Sequence, residues 1–227
     1  MNIDYQAVAF DLDGVLIDSH PLHVKTWEMA LRQYNIIPDE AHLHTSTGQT
    51  SVGFAAQLKA QYGAQIPVSA EDLAREKRTL FARLSETELM PVVGAGELLN
   101  AIAPQVPIGL CTMATRERTE WILQKFGWTQ LFNIILSVEQ VQKPKPDPFI
   151  YNCLQAQLEI SPKHILAFED TPIGVEAVVE SGIQAIGVTT THSAEELLRK
   201  GAIATVPNLS LRECQPVLRT YLNSSRS

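Results

Sequence analysis

Six short apolar or β-branched runs recur along this chain, most of them separated by helix-like stretches, and this alternation narrows the possible folds more than any other feature. The runs are AVAF (7–10), VPIGL (106–110), FNIIL (132–136), HILAF (164–168), QAIGV (184–188) and the shorter AIATV (202–206). Among the intervening stretches, TRERTEWILQKFG places Trp121, Ile122 and Phe126 at helical spacing ahead of Gly127, a C-cap residue. Strands spaced in this way pair in parallel, and a parallel sheet needs helices on both faces to bury it.

Residues 19–90 break the pattern. HPLHVKTWEMALRQY, TSVGFAAQLKAQYG and SAEDLAREKRTLFARL all read as helices, with no convincing strand among them. In the first, Pro21 suits the opening turn, and Trp27, Ala30, Leu31 and Tyr34 form one apolar stripe. Helical material of this length inside a β/α pattern reads as an inserted subdomain. The chain would cross near Ile17–His20 and near MPVVGAG (90–96), where proline and glycine punctuate it. The bland alternative is a helical excursion packed rigidly on the same core. The predicted class is α/β: a Rossmann-like parallel sheet core, residues 1–17 and 93–227, with an inserted α-helical subdomain, residues 18–92.

Bulk properties exclude several functions. With 45% hydrophobic residues in 227, the chain has ample material for a core. A net charge of -7 weighs against nucleic acid, whose phosphates demand clustered Lys and Arg, although a local basic pocket can still hold a small anion. Cys111, Cys153 and Cys214 are odd in number and set in apolar surroundings, which points to reduced thiols and not to a disulfide frame or a zinc site. The start MNIDYQ lacks the marks of a signal peptide, and no run approaches the roughly 20 apolar residues of a membrane span. The expectation is a soluble, cytoplasmic protein, a monomer or weak homo-oligomer, with no nucleic acid or membrane partner.

In open α/β sheets, chemistry collects at the carboxyl ends of the strands. There stand Asp11 and Asp13 after the first run, Thr112 after VPIGLC, Lys143 after LSVEQV, and Glu169 and Asp170 after ILAF. Singly, each has an ordinary explanation as a turn former, helix cap or solvated loop residue; Thr171–Pro172 makes a good helix start without any catalysis. Jointly they do not. Four carboxylates at one edge are intolerable unless a divalent cation and a lysine compensate them. Lys143 is taken as that lysine, and Lys145 beside it as solvated. With no His or Cys among the donors, the oxygen set indicates Mg²⁺. Such a site suits phosphoryl transfer, with one carboxylate attacking phosphorus and a second moving protons.

DLDGVLIDS, Thr112 in LCTMATRER, Lys143 in QKPKPDPF and FEDTPIGVEAVVESGI resemble, in order and spacing, the four motifs of the haloacid dehalogenase-like hydrolases. The branch is the one of β-phosphoglucomutase and small sugar phosphatases, in which the inserted helices form a cap. The resemblance implies that Asp11 is the nucleophile, forming an aspartyl phosphate, and that Asp13 is the acid/base and gives its backbone carbonyl to Mg²⁺. It makes Asp11 and Asp170 metal ligands, with Glu169 either a direct ligand or a residue behind the ligands. Thr112, the backbone of Met113 and Lys143 would hold the phosphoryl group. Asp13 argues against dehalogenase chemistry, because a halide leaving group needs no proton.

Two departures bear on substrate. Met113 and Ala114 stand where relatives often offer Ser or Asn. TGQTSVG (47–53) keeps Gly48 but has no arginine to clamp a second phosphate, and Ser51 stands nearest that place, which lowers the mutase reading. His23 matches a family histidine that faces the active site, against the alternative of a surface histidine. Lys77 aligns with a cap lysine that reaches the substrate, against that of a solvated helix-face lysine. His42 and His44 lie in a loop between cap helices and carry no assignment. The expected activity is Mg²⁺-dependent hydrolysis of a small phosphorylated metabolite, a sugar phosphate. The alternatives are a phosphosugar mutase and, from another class, a non-enzymatic phospho-receiver module, which would be about half this length and lack the helices.

Overall fold

A computed structural model of the chain describes residues 5–46 and 50–223. In chain order the elements are β1 (Ala7–Phe10), β2 (Ile17–Asp18), α1 (His20–Arg32), α2 (Glu40–His44), α3 (Ser51–Tyr62), α4 (Ala70–Glu88), β3 (Met90–Pro91) and α5 (Ala95–Ile102). They continue with β4 (Ile108–Cys111), α6 (Arg116–Lys125), β5 (Ile134–Leu136), α7 (Phe149–Leu158), β6 (Ile165–Glu169), α8 (Pro172–Glu180), β7 (Gln184–Val188), α9 (Ala194–Arg199), β8 (Ala204–Val206) and α10 (Leu211–Asn223). The chain divides into two compact units, Met1–Ile17 with Pro91–Ser227, and Asp18–Met90.

The first unit holds a six-stranded sheet in the order β5-β4-β1-β6-β7-β8, and every neighbouring pair is parallel. This is the α/β architecture that the alternation of runs predicts. All four residues of β1 are buried, which is why the run reads as continuously apolar. Its two faces differ. Ala7 and Ala9, with Ala167 and Ala185 of the adjoining strands, let Tyr151, Leu154 and Val175 of α7 and α8 pack close. Phe10, on the opposite face, stacks on Phe168 with centroids 5.0 Å apart.

Strand order reverses at β1, which lies between β4 and β6. A crevice is expected outside the carboxyl ends of those strands. Ladder bonds continue one residue beyond two of them: Asp11 N–H donates to Phe168 O and Thr112 N–H to Leu136 O, both at 3.0 Å. The first polar residue after each strand is therefore fixed by the sheet itself.

The second unit packs α1, α3 and α4 around Trp27, Leu31, Phe54, Leu58, Leu73 and Ala74. Trp27 meets Phe54 edge-on at 5.2 Å. Side-chain caps start two of these helices: Thr50 Oγ1 accepts from Gly53 N–H, and Ser69 Oγ from Asp72 N–H. His42 and His44, expected in a loop, lie on α2, which Asp39 caps by accepting from Ala41 N–H at 3.1 Å. Where the chain leaves and re-enters the sheet unit, β2 and β3 pair. No helix among the described residues is long and apolar enough to cross a membrane.

Candidate active site

The tight turn after β1 presents the first two acids. Gly14 N–H donates to Ile17 O at 2.8 Å, and Leu16 and Ile17 N–H both return to Leu12 O, closing the loop within a few residues. Gly14 has φ +75°, a conformation that L side chains rarely adopt. Asp11 is buried, whereas a third of the Asp13 side chain remains exposed.

Asp11 meets Glu169 and Asp170 from the end of β6, and one carboxylate oxygen from each of the three lies within 4.8 Å of the others. Lys145 enters this cluster. Its Nζ donates to Asp11 Oδ1 at 2.7 Å, to Glu169 Oε1 at 2.6 Å and to Cys111 O at 3.0 Å, and its side chain is only 5% exposed. Glu169 Oε1 also accepts from the buried Tyr151 hydroxyl at 2.7 Å. Across the cluster, Thr191 Oγ1 donates to Asp170 Oδ2 at 2.5 Å, and Thr190 Oγ1 bonds Gly14 O at the same distance.

Here the assignment of the lysines is corrected. Lys143, expected to compensate the acids, is 73% exposed and stands 3.6 Å from Asp147. Lys145, expected to be solvated, is the buried cation. Three buried carboxylates at one point stabilise whichever ammonium the loop carries to them, and the loop carries the second of two Lys–Pro steps.

Electrostatics show that one ammonium is not enough. Burial pushes the Asp11 carboxyl up to about 7, with Lys145 pulling down and Glu169 pushing further up. Asp170 is raised well above the usual carboxylate range, first by burial and then by Asp11 and Glu169. Lys145 loses solvation too, but the same acids more than offset this and hold it protonated. An all-oxygen donor set with charge left over fits a hard divalent cation.

Thr112, buried at the end of β4, accepts from Ala114 N–H through Oγ1 at 3.0 Å, which leaves its own hydrogen to donate. Met113 follows it in the same loop. Arg118, which the motif reading missed, lies in the first turn of α6. Its Nη1 and Nη2 donate to Asp13 Oδ2 and Oδ1, each at 2.6 Å. A signal was available: four acids against one lysine left a second cation to find, and TRER offered it beside Thr112. Tyr151 gave no comparable mark, beyond the rule that a buried hydroxyl needs a partner.

In the helical unit, Lys77 is not a solvated helix-face lysine. It is buried, its Nζ is hydrogen-bonded to His23 Nδ1, and its ammonium lies 5.5 Å from the Trp27 ring centroid and 4.8 Å from that of Phe81. His23 stacks on Phe81 at 4.2 Å. Ser51 opens α3. Gly48 lies outside the described residues.

The family model described as haloacid dehalogenase-like hydrolase matches residues 8–188. A validoxylamine A 7'-phosphate phosphatase of Streptomyces hygroscopicus subsp. limoneus is 31% identical over 194 residues, covering 85% of this chain and 90% of its own. A phosphorylated carbohydrates phosphatase of Thermotoga maritima is 28% identical over 209 residues, covering 88% and 94%. The crystal structure of a putative beta-phosphoglucomutase from Thermotoga maritima superimposes with a TM-score of 0.79 at 25% identity, over 95% of this chain and 97% of that one. The match spans both the turn that bears Asp11 and Asp13 and the strand that bears Glu169, and the chain belongs to the haloacid dehalogenase-like hydrolases.

Proposed function

We propose that the protein is a Mg²⁺-dependent phosphatase of small phosphorylated metabolites, sugar phosphates in particular. The observation that carries this reading is the buried Asp11 carboxylate at the sheet's switch point, compensated by Lys145 beside Glu169 and Asp170, with Asp13 two residues further on. The names of the relatives support the substrate class.

Asp11, Asp170 and the backbone carbonyl of Asp13 would hold Mg²⁺, which when bound neutralises charge on the phosphoryl oxygens. Glu169 is assigned a supporting role, since its Oε1 already takes Lys145 and Tyr151. The phosphoryl group is held by Lys145, the Thr112 hydroxyl and the Met113 backbone N–H. An Asp11 oxygen attacks phosphorus as the bond to the leaving oxygen breaks, and Asp13 gives that oxygen a proton. Asp13 then takes a proton from water, which attacks the aspartyl phosphate, releases phosphate and restores Asp11. Choice of leaving group is assigned to the helical unit as a cap, with His23, Lys77, Gly48 and Ser51 as candidates.

A phosphate-release screen over phosphorylated metabolites, with and without Mg²⁺, tests the reading, and Asp11→Asn is its control. Hydrolysis that needs Mg²⁺ and vanishes in the variant, with the fold intact by circular dichroism, supports it. Full activity in Asp11→Asn removes the nucleophile assignment. Positional isomers formed without free phosphate would favour a mutase.

A further inference from the structure

Asp13 is asked to move protons, yet its side chain is a third exposed and sits on a loop. A proton-transfer group works only when it is held within hydrogen-bond reach and correctly aimed. Arg118 donates to both oxygens of the Asp13 carboxylate and so restrains its side chain.

The anchor is itself well fixed. Arg118 is in the first turn of α6, where its N–H donates to Thr115 Oγ1 at 3.3 Å, and Thr119 Oγ1 returns to Thr115 O at 2.9 Å. Ile122 and Leu123 bury the inner face of the helix. The guanidinium thus ties the loop after β1 to the helix after β4, across 105 residues of sequence. A planar fork paired with a carboxylate sets direction as well as distance, which a lysine ammonium in the same place would not do.

We propose that Arg118 is the positioning residue for proton transfer: its fork orients Asp13, surrenders one bond when that oxygen turns to the leaving group, and keeps the other as a pivot. This rests on the phosphatase reading above. The proton passes from the Asp13 carboxyl to the leaving oxygen as the phosphorus–oxygen bond breaks, and Arg118 neither gains nor loses one.

The experiment compares kcat/KM for phenyl phosphate, whose leaving group needs a proton, with that for p-nitrophenyl phosphate, whose leaving group departs without one. Arg118→Met should lower the first by about ten- to a hundredfold, at most the lower end of the roughly hundred- to ten-thousandfold that general acid catalysis supplies because Asp13 itself remains, and the second by less than about threefold. Arg118→Lys, which keeps the charge without the fork, should fall between wild type and Arg118→Met. In an Asp13→Asn background, Arg118→Met should cost nothing further, because it acts through Asp13. Equal losses on the two substrates, or losses that add in the double variant, overturn the proposal. Should Arg118→Met fail to fold, Arg118→Lys and Arg118→Gln carry the same comparison. Asp13→Asn alone separates the two levels: if it does not discriminate between the substrates, the acid/base reading of Asp13 fails first.

Discussion

A Cβ on Gly14 would lie 2.0 Å from Oδ2 of Asp170, so the turn after β1 and the end of β6 approach as closely as a missing side chain allows. With φ at +75°, Gly14→Ala adds backbone strain of about 1–2 kcal/mol to that collision. Asp170 must move, and with it a proposed metal ligand. The variant should bind Mg²⁺ more weakly by calorimetry and lose about tenfold or more in activity. Unchanged Mg²⁺ affinity would show that Asp170 is not a ligand.

The two lysines of the KPKP loop should separate cleanly. Lys145→Met leaves buried carboxylates without their cation, a change that costs about 3–5 kcal/mol when one partner of a buried pair is removed. Lys143→Met alters an exposed loop residue and should stay within about 0.5 kcal/mol. Urea unfolding in the presence of a chelator measures both. Equal effects would contradict the placement of Lys145 between Asp11 and Glu169.

Tyr151→Phe removes one oxygen and little else. The lost bond runs from a buried hydroxyl to a charged acceptor, so stability should fall by about 1.5–3 kcal/mol. With Glu169 less restrained, Lys145 is less firmly placed, and kcat should fall more than KM rises. Denaturant titration and steady-state kinetics check the two parts. A change confined to KM would argue that Tyr151 acts on substrate binding.

Stability of the metal-free protein should depend on pH in the direction opposite to ordinary acid denaturation. Asp11 is raised from 3.8 to about 7 in the folded state, and Asp170 is raised as well. The folded chain therefore binds these protons more tightly than the unfolded one, and their stabilising contribution is complete below about pH 4. It is lost as pH rises toward 7, and the raised Asp170 carboxyl adds to the loss in the same direction. Added Mg²⁺ should reverse the loss by favouring the ionised acids. Thermal midpoints from pH 5 to 8, with chelator and with Mg²⁺, give the comparison, and parallel curves would remove the cation from the cluster.

How much could be read before folding varies from residue to residue. Asp11 and Asp13 stand two residues apart and directly follow a strand too apolar to lie anywhere but the centre of a sheet, which puts both at its carboxyl edge. Glu169 and Asp170 follow a second such strand, so local pattern alone brings four acids to one edge. Thr112 was legible in the same way. Lys143 and Lys145 were not separable, since both precede proline in one loop and only the path of that loop decides which ammonium reaches Asp11. Arg118 looked like part of a charged helix start, and the partner that gives it meaning lies 105 residues away.

The sequence by itself determined the six strands of the parallel sheet, the helical character of most of 19–90 and the meeting of Asp11, Glu169 and Asp170, because these follow from periodicity and burial; the short β2–β3 pair it did not show. Tertiary structure alone decided which cations answer the acids: Lys145 for Asp11 and Glu169, and Arg118 for Asp13. The physical reason is that a charge pair is a matter of distance in space, and a long flexible side chain can reach any acid that the fold brings within a few ångströms.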